Sequence, residues 1–216
     1  MLPLIDGQTD PTIATYAKEG ECSLRIASKR ATLEEAKEAV DNMLDDVMEI
    51  IGENVYSIDN EDLIDVVGKI LLEKNISISC AESCTGGLFA GRLTDIPGIS
   101  KVFERGIVTY SNRAKMEELG VKAETLDKFG AVSEETAAEM AEGLKAKTGS
   151  DLCVSVTGIA GPGGGSPEKP VGLAYIGICY KGETKVFKSL YRNVSRKWNR
   201  NYTLLNMLYQ IYKLIK

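Results

Sequence analysis

The sequence contains no histidine. That absence removes every Ser-His-Asp and Cys-His mechanism, every histidine-ligated zinc or iron site, and imidazole general base catalysis. Chemistry in these 216 residues must run on Lys, Asp, Glu, Tyr, Ser, Thr or Cys, or on a borrowed metal. No apolar run approaches the ~18 residues of a membrane-spanning helix. The opening MLPLIDGQTDPT has neither a basic n-region nor an apolar h-region, so no secretory signal is expected. There is no CxxC pair, and the cysteines (Cys22, Cys80, Cys84, Cys153, Cys179) are odd in number. They read as reduced, mostly buried small hydrophobes, which together with the missing signal points to the cytoplasm.

What is present is ordinary globular material, 44% hydrophobic and 26% charged, enough to bury a sizeable core. The net charge of −5 is the wrong sign for a partner such as bulk nucleic acid or an acidic membrane. Charge is unevenly placed. Between Glu34 and Asp65 there are 12 acids and one base, Lys37, whereas after Glu183 there are eight bases and no acid. An acidic front and a basic tail suggest two units, or one face at the end that meets an anion.

Residues 20–29 alternate as a half-buried strand, with Cys22, Leu24 and Ile26 on one face. Thr32 opens a helix with Glu35 at the capping-box offset, and Ala36, Val40, Met43, Val47 and Ile50 carry its inner face to Gly52. A short strand, NVYS, follows. The expected boundary gives an N-terminal α+β segment over 1–57 and a larger domain over 58–216. In the larger part strands and helices alternate. Strands are expected at 76–81, 106–111 and 151–158, a helix after Ser83, a short helix ended by Gly120 and another capped by Ser133. A hairpin turns at Lys181-Gly182, and a last helix covers 195–215. The fold class is therefore α/β, a three-layer α/β/α domain whose hairpin makes the sheet mixed.

Two segments break the ordinary pattern. AESCTGG (Ala81 to Gly87) lies at a strand-to-helix turn, where free backbone N–H groups form an anion or oxyanion site and Ser83 stands at the strand end. By pattern alone Ser83 reads equally well as a helix cap. TGIAGPGGGSPEKPVG (Thr157 to Gly172) holds six glycines and three prolines in sixteen residues, a shaped loop that lets a ligand approach the backbone. It fails both the P-loop and the GxGxxG signatures. Its Ser166-Pro167-Glu168-Lys169 matches SxxK by letter only, since that motif belongs on a helix and prolines flank it here.

AESCTGG, VTYSNxAK (Val108 to Lys115), GAVSEET (Gly130 to Thr136) and VTGIAGPGGGxPEKPVG (Val156 to Gly172) together resemble the C-terminal domain of the CinA family of competence/damage-inducible proteins. That domain also occurs alone as a nicotinamide-nucleotide amidase. The similarity runs from about residue 60 to 216. DPTIATYAKEGE with the strand and acidic helix after it resembles the family's KH-like middle region. The family's N-terminal molybdopterin-binding-like domain has no counterpart here. The resemblance implies hydrolysis of the carboxamide of nicotinamide mononucleotide to nicotinate mononucleotide and ammonia. It implies Ser83 as nucleophile, Lys115 as base and Tyr110 beside them. Substrate would meet Thr85, Gly86, Gly87, Thr157, Gly158, Gly161, Gly163 and an arginine of the tail. The family's Phe-x-Gly-x-Arg stretch corresponds to Tyr191–Arg196, with Arg196 the best match and Arg200 one turn later.

An amidase without histidine needs something like a Ser–Lys pair, and Lys115 can act only if burial or a cation lowers its pKa. Read alone, Lys115 is a solvated lysine on a short helix. The expected cycle uses no metal and no organic cofactor. A non-catalytic nucleotide- or partner-binding accessory protein is the competing reading, and Cys84 as nucleophile is a third. The small front segment exposes a sheet edge, so a homodimer is expected.

Overall fold

The computed structural model describes residues 1–192 and 194–216. Asn193, inside the Tyr191–Arg196 stretch compared above, lies outside the described residues. The chain divides into two compact units, Met1–Asp62 and Leu63–Lys216.

The first unit runs α1 (Leu2–Asp6), β1 (Thr12–Ala17), β2 (Cys22–Ala27) and α2 (Leu33–Ile51). The two strands pair antiparallel, from Thr12 opposite Ala27 to Ala17 opposite Cys22. Cys22 is exposed, unlike the other four cysteines. Thr32 and Glu35 form both arms of the capping box, at 3.2 and 3.3 Å, a device worth about 1 kcal/mol. Val47 is buried, but Ile50, expected inward, is 51% exposed. Nineteen helical residues span about 28 Å and six strand residues about 20 Å. The helix is therefore longer than either strand of the sheet. The strand expected at NVYS does not form. Gly52–Asn54 is a short 3₁₀ turn, and the next residues are held by side chains. Ser57 Oγ donates to Glu61 at 2.7 Å and accepts from the Asp59 N–H at 3.1 Å, local bonds that compete with strand pairing.

The second unit runs α3 (Leu63–Glu73), β3 (Ile78–Glu82), α4 (Leu88–Thr94), β4 (Phe103–Val108), α5 (Asn112–Leu119), α6 (Ala123–Phe129), α7 (Glu134–Thr148), β5 (Leu152–Gly158), β6 (Leu173–Tyr180), β7 (Glu183–Leu190) and α8 (Arg196–Ile215). Its five-stranded sheet has the order β4-β3-β5-β6-β7. The first three strands are parallel and the β6–β7 hairpin is antiparallel, so the sheet is mixed. Ala81, Cys153 and Cys179 face one side, packed with Leu119, Leu126, Met140, Ala141 and Leu144 of α5, α6 and α7. Helices α3, α4 and α8 cover the other side. This is the three-layer arrangement that the alternating pattern implies. Contact on the first side is close. A Cβ at Gly143 of α7 would stand 1.7 Å from the Leu119 carbonyl oxygen at the end of α5.

Two differences from expectation matter for the site. β4 spans Phe103–Val108 rather than 106–111, so Thr109, Tyr110 and Ser111 lie beyond the strand. Ser111 instead caps α5, accepting from the Ala114 N–H at 3.1 Å. Helix α6, between Gly120 and Gly130, was not expected. Its seven residues carry too short a pattern to stand out from a loop.

Candidate active site

Ser83 follows directly on β3, the middle of the three parallel strands. Its N–H donates to the Val156 carbonyl at 3.1 Å, and the Thr109 N–H reaches the Glu82 carbonyl at 2.8 Å. These bonds carry the sheet one residue past its formal end, with Ser83 between the β4 and β5 chains. Ligands of open α/β sheets bind at this carboxyl end.

The turn after Ser83 is fixed from inside by Glu82. Its carboxylate, 1% exposed, accepts N–H bonds from Gly87, Phe89 and Ala90 at 3.0, 3.2 and 2.9 Å. A short helix start that would leave orphan donors in the core is thereby satisfied. Gly86 and Gly87 have φ of +59° and +94°, which side-chain-bearing residues rarely adopt, so this turn requires glycine at both positions. The role of Glu82 was not anticipated. The available signal was a carboxylate at a strand end, five residues before a Gly-Gly helix start.

Lys115, on the first turn of α5, is 1% exposed and aims its amine at Ser83. Lys115 Nζ lies 3.0 Å from Ser83 Oγ, 2.8 Å from the Thr109 carbonyl and 3.4 Å from the Tyr110 carbonyl. It forms no ion pair among the described residues. Burial without a carboxylate holds its pKa below the ordinary lysine value, the Cys84 sulfur opposing weakly. The solvated-lysine reading does not apply.

Cys84 is placed differently. Burial pushes its thiol up to about 11, with Glu82 adding to the rise and Lys115 and the backbone N–H groups of Cys84 and Thr85 partly offsetting it. At neutral pH roughly one molecule in ten thousand would hold it as thiolate.

Two arginines of α8 reach the same region. Arg196 donates Nη1 to the Gly161 carbonyl at 2.9 Å and Nη2 to the Tyr110 hydroxyl at 2.7 Å. Tyr110 therefore contributes its backbone to the Lys115 pocket, while its ring, 59% exposed, turns toward Arg196. Arg200 donates Nε to the Cys84 carbonyl at 3.1 Å and Nη2 to the Thr85 carbonyl at 2.5 Å.

Several residues expected at substrate are engaged within the protein. The Gly86 N–H donates to the Ser83 carbonyl at 3.1 Å and the Gly87 N–H to Glu82, so neither is available to an oxyanion. Among the described residues, the N–H groups of Cys84 and Thr85 donate to no oxygen. The buried Thr157 hydroxyl donates to the Ala131 carbonyl at 2.6 Å. Gly158 is needed for packing, since a Cβ there would meet the Leu173 carbonyl oxygen at 2.8 Å. Gly163 has open space around it. In the glycine-rich loop Lys169 Nζ bonds the Phe129 and Val132 carbonyls at 2.5 and 2.7 Å. It thus ties the loop to the GAVSEET turn. Ser166 pairs with Glu168, so Ser166 and Lys169 do not form a side-chain dyad. Two fully buried hydroxyls beside the site, Thr85 Oγ1 and Thr109 Oγ1, have no hydrogen-bond partner among the described residues.

Both parts of the chain are similar to known proteins. Residues 60–215 match the CinA C-terminal domain and residues 1–57 match the damage-inducible protein CinA KH domain. A protein from Clostridium novyi named competence-damage inducible is 49% identical over 205 residues, 95% of this chain and 49% of its own length. One from Clostridium acetobutylicum is 55% identical over 185 residues, 86% of this chain and 45% of its own length. The chain thus spans about half the length of these relatives. A competence/damage inducible protein from Agrobacterium tumefaciens superposes with a TM-score of 0.68 at 42% identity, covering 72% of this chain and 98% of that one. A CinA superfamily protein from Escherichia coli gives 0.69 at 28% identity, covering 76% and 98%. With residues 1–57 and 60–215 matched in order, the chain belongs to the CinA family.

Proposed function

We propose that the Leu63–Lys216 unit is an amidohydrolase that deamidates nicotinamide mononucleotide through a Ser83–Lys115 acyl-enzyme mechanism. The observation that carries this reading is the buried Lys115 amine, 3.0 Å from Ser83 Oγ and without a carboxylate partner. A neutral amine has two N–H bonds and one lone pair. The Thr109 and Tyr110 carbonyls take the two N–H bonds, which leaves the lone pair for the Ser83 proton.

Lys115 removes that proton as Ser83 Oγ bonds to the carboxamide carbon. The tetrahedral oxyanion is met by the N–H groups of Cys84 and Thr85, the donors of the turn not claimed by an oxygen acceptor. Collapse breaks the C–N bond while protonated Lys115 returns its proton to the leaving nitrogen, and ammonia departs. Water then adds to the acyl carbon, Lys115 again serving as base, and nicotinate mononucleotide leaves with Ser83 regenerated. No step calls on a metal or an organic cofactor. Arg196, whose Nε carries no hydrogen bond among the described residues, is the group proposed to meet the nucleotide phosphate.

The test is ammonia release from nicotinamide mononucleotide by the purified chain, with nicotinate mononucleotide as co-product. Folded chain that leaves the nucleotide intact over hours would instead favour a non-catalytic binding role.

A further inference from the structure

We propose that Arg200 is a positioning residue for the Ser83 nucleophile rather than a ligand of the substrate phosphate. This rests on the Ser83–Lys115 reading above and gives Arg200 a role different from that of Arg196, one turn before it. Arginine grips a phosphate or carboxylate best with two parallel N–H bonds from one edge of the guanidinium. In Arg200 the Nε–Nη2 edge is already occupied by the consecutive carbonyls of Cys84 and Thr85. Those carbonyls belong to the two residues immediately after the nucleophile.

Glu82 holds the same turn from the other direction, by the N–H groups of Gly87, Phe89 and Ala90. A cation on the carbonyls and an anion on the N–H groups fix the five residues between them, Ser83 to Gly87. A turn with two left-handed glycines is otherwise among the easier backbone segments to deform. The peptide joining Cys84 to Thr85 carries both the carbonyl that accepts from Arg200 Nε and the Thr85 N–H assigned to the oxyanion. A charged donor at one end of a peptide strengthens the donor at its other end.

The anchor behind Arg200 is itself fixed. Asn199 is buried, donates Nδ2 to the Ala160 carbonyl at 3.0 Å, and its own carbonyl accepts from Thr203 Oγ1 at 2.7 Å. α8 is thus held where Arg200 can reach the turn. Loss of the clamp displaces Ser83 Oγ from Lys115 and from the oxyanion donors, a fault expressed in the chemical step and not in ground-state binding.

The experiment uses Arg200→Met and Arg200→Lys in the full chain, with two readouts. The first separates kcat from KM for nicotinamide mononucleotide. The second is the rate at which a fluorophosphonate labels Ser83, forming the Oγ–P bond as fluoride leaves and Lys115 takes the serine proton. Arg200→Met should lower kcat and the labelling rate by roughly 10- to 100-fold, the cost of a small displacement of the reacting atom, with KM within about threefold of wild type. Arg200→Lys, which keeps the charge but offers no fork, should recover part of both. A rise in KM of tenfold or more with kcat and labelling unchanged would overturn the proposal and make Arg200 a phosphate ligand. Unchanged values throughout would overturn it as well. If Arg200→Met does not fold, Arg200→Lys decides on the same readouts. Wild-type chain that is labelled at Ser83 but leaves the nucleotide intact refutes the substrate assignment alone. The labelling rates then decide the role of Arg200.

Discussion

Replacing Lys115 by Met or Arg isolates the group on which the mechanism depends. At its ordinary pKa near 10.4 a lysine is neutral in fewer than about one molecule in a thousand at pH 7. Burial lowers the value for Lys115, and each unit of lowering multiplies the neutral fraction by about ten. kcat/KM should therefore climb about tenfold per pH unit along a single basic limb and level off where Lys115 is neutral. Lys115→Met removes the base and should lower kcat by roughly 10²- to 10⁴-fold. Lys115→Arg keeps the charge without a titratable proton and should lose the limb.

The same shift has a signature in stability. Because the folded pKa lies below the unfolded one, the unfolded chain holds more protons between them. The contribution of Lys115 is thus most unfavourable at low pH and is relieved as pH rises toward 10.5. Cys80 and Cys84 work in the opposite direction. Their thiols are raised by burial, so the unfolded thiols ionise first and stability falls above about pH 8.5. Subtracting urea-unfolding free energies of Lys115→Met from those of wild type cancels the thiols and leaves a difference that rises with pH. A flat difference, or a Met variant within tenfold of wild-type rate, would refute the reasoning.

Three further substitutions test separate parts of the site. Cys84→Ala should keep substantial activity while losing about 1–3 kcal/mol of stability to the cavity it leaves, and a loss of rate as deep as that of Ser83→Ala at unchanged stability would reverse the assignment. Glu82→Gln withdraws charge from three N–H bonds and should cost about 2 kcal/mol in urea unfolding together with most of the activity; an unaltered midpoint would show that the turn does not need its anion. Arg196→Ala should raise KM for the nucleotide by roughly 10- to 100-fold, the loss of a charge-assisted pair, and an unchanged KM would leave Arg196 only its bonds to Gly161 and Tyr110.

Much of the fold is legible where pattern and physical constraint coincide. Thr32 with Glu35, Gly120 after α5, Ser133 before α7 and Lys181-Gly182 in the hairpin each announce an element end through a cap or a turn. Where the deciding contact is distant in sequence, the reading fails. Ile50 continues a regular helical face, yet it is 51% exposed. β4 begins three residues early because Phe103 pairs beside Ile78, which no local pattern records. In the site, Ser83 and Lys115 are 32 positions apart, and only the family's motifs bring them together in the sequence. Gly87 illustrates the limit: its N–H reads as an oxyanion donor until Glu82, five residues away, is seen to accept it.

The most direct measurement is mass spectrometry of the intact chain, acid-quenched during turnover of nicotinamide mononucleotide. A nicotinate-mononucleotide acyl group should appear on Ser83 and be absent from Ser83→Ala, which should also release no ammonia. Continued ammonia release by Ser83→Ala, or turnover with the acyl group mapped to Cys84, would contradict the Ser83–Lys115 mechanism.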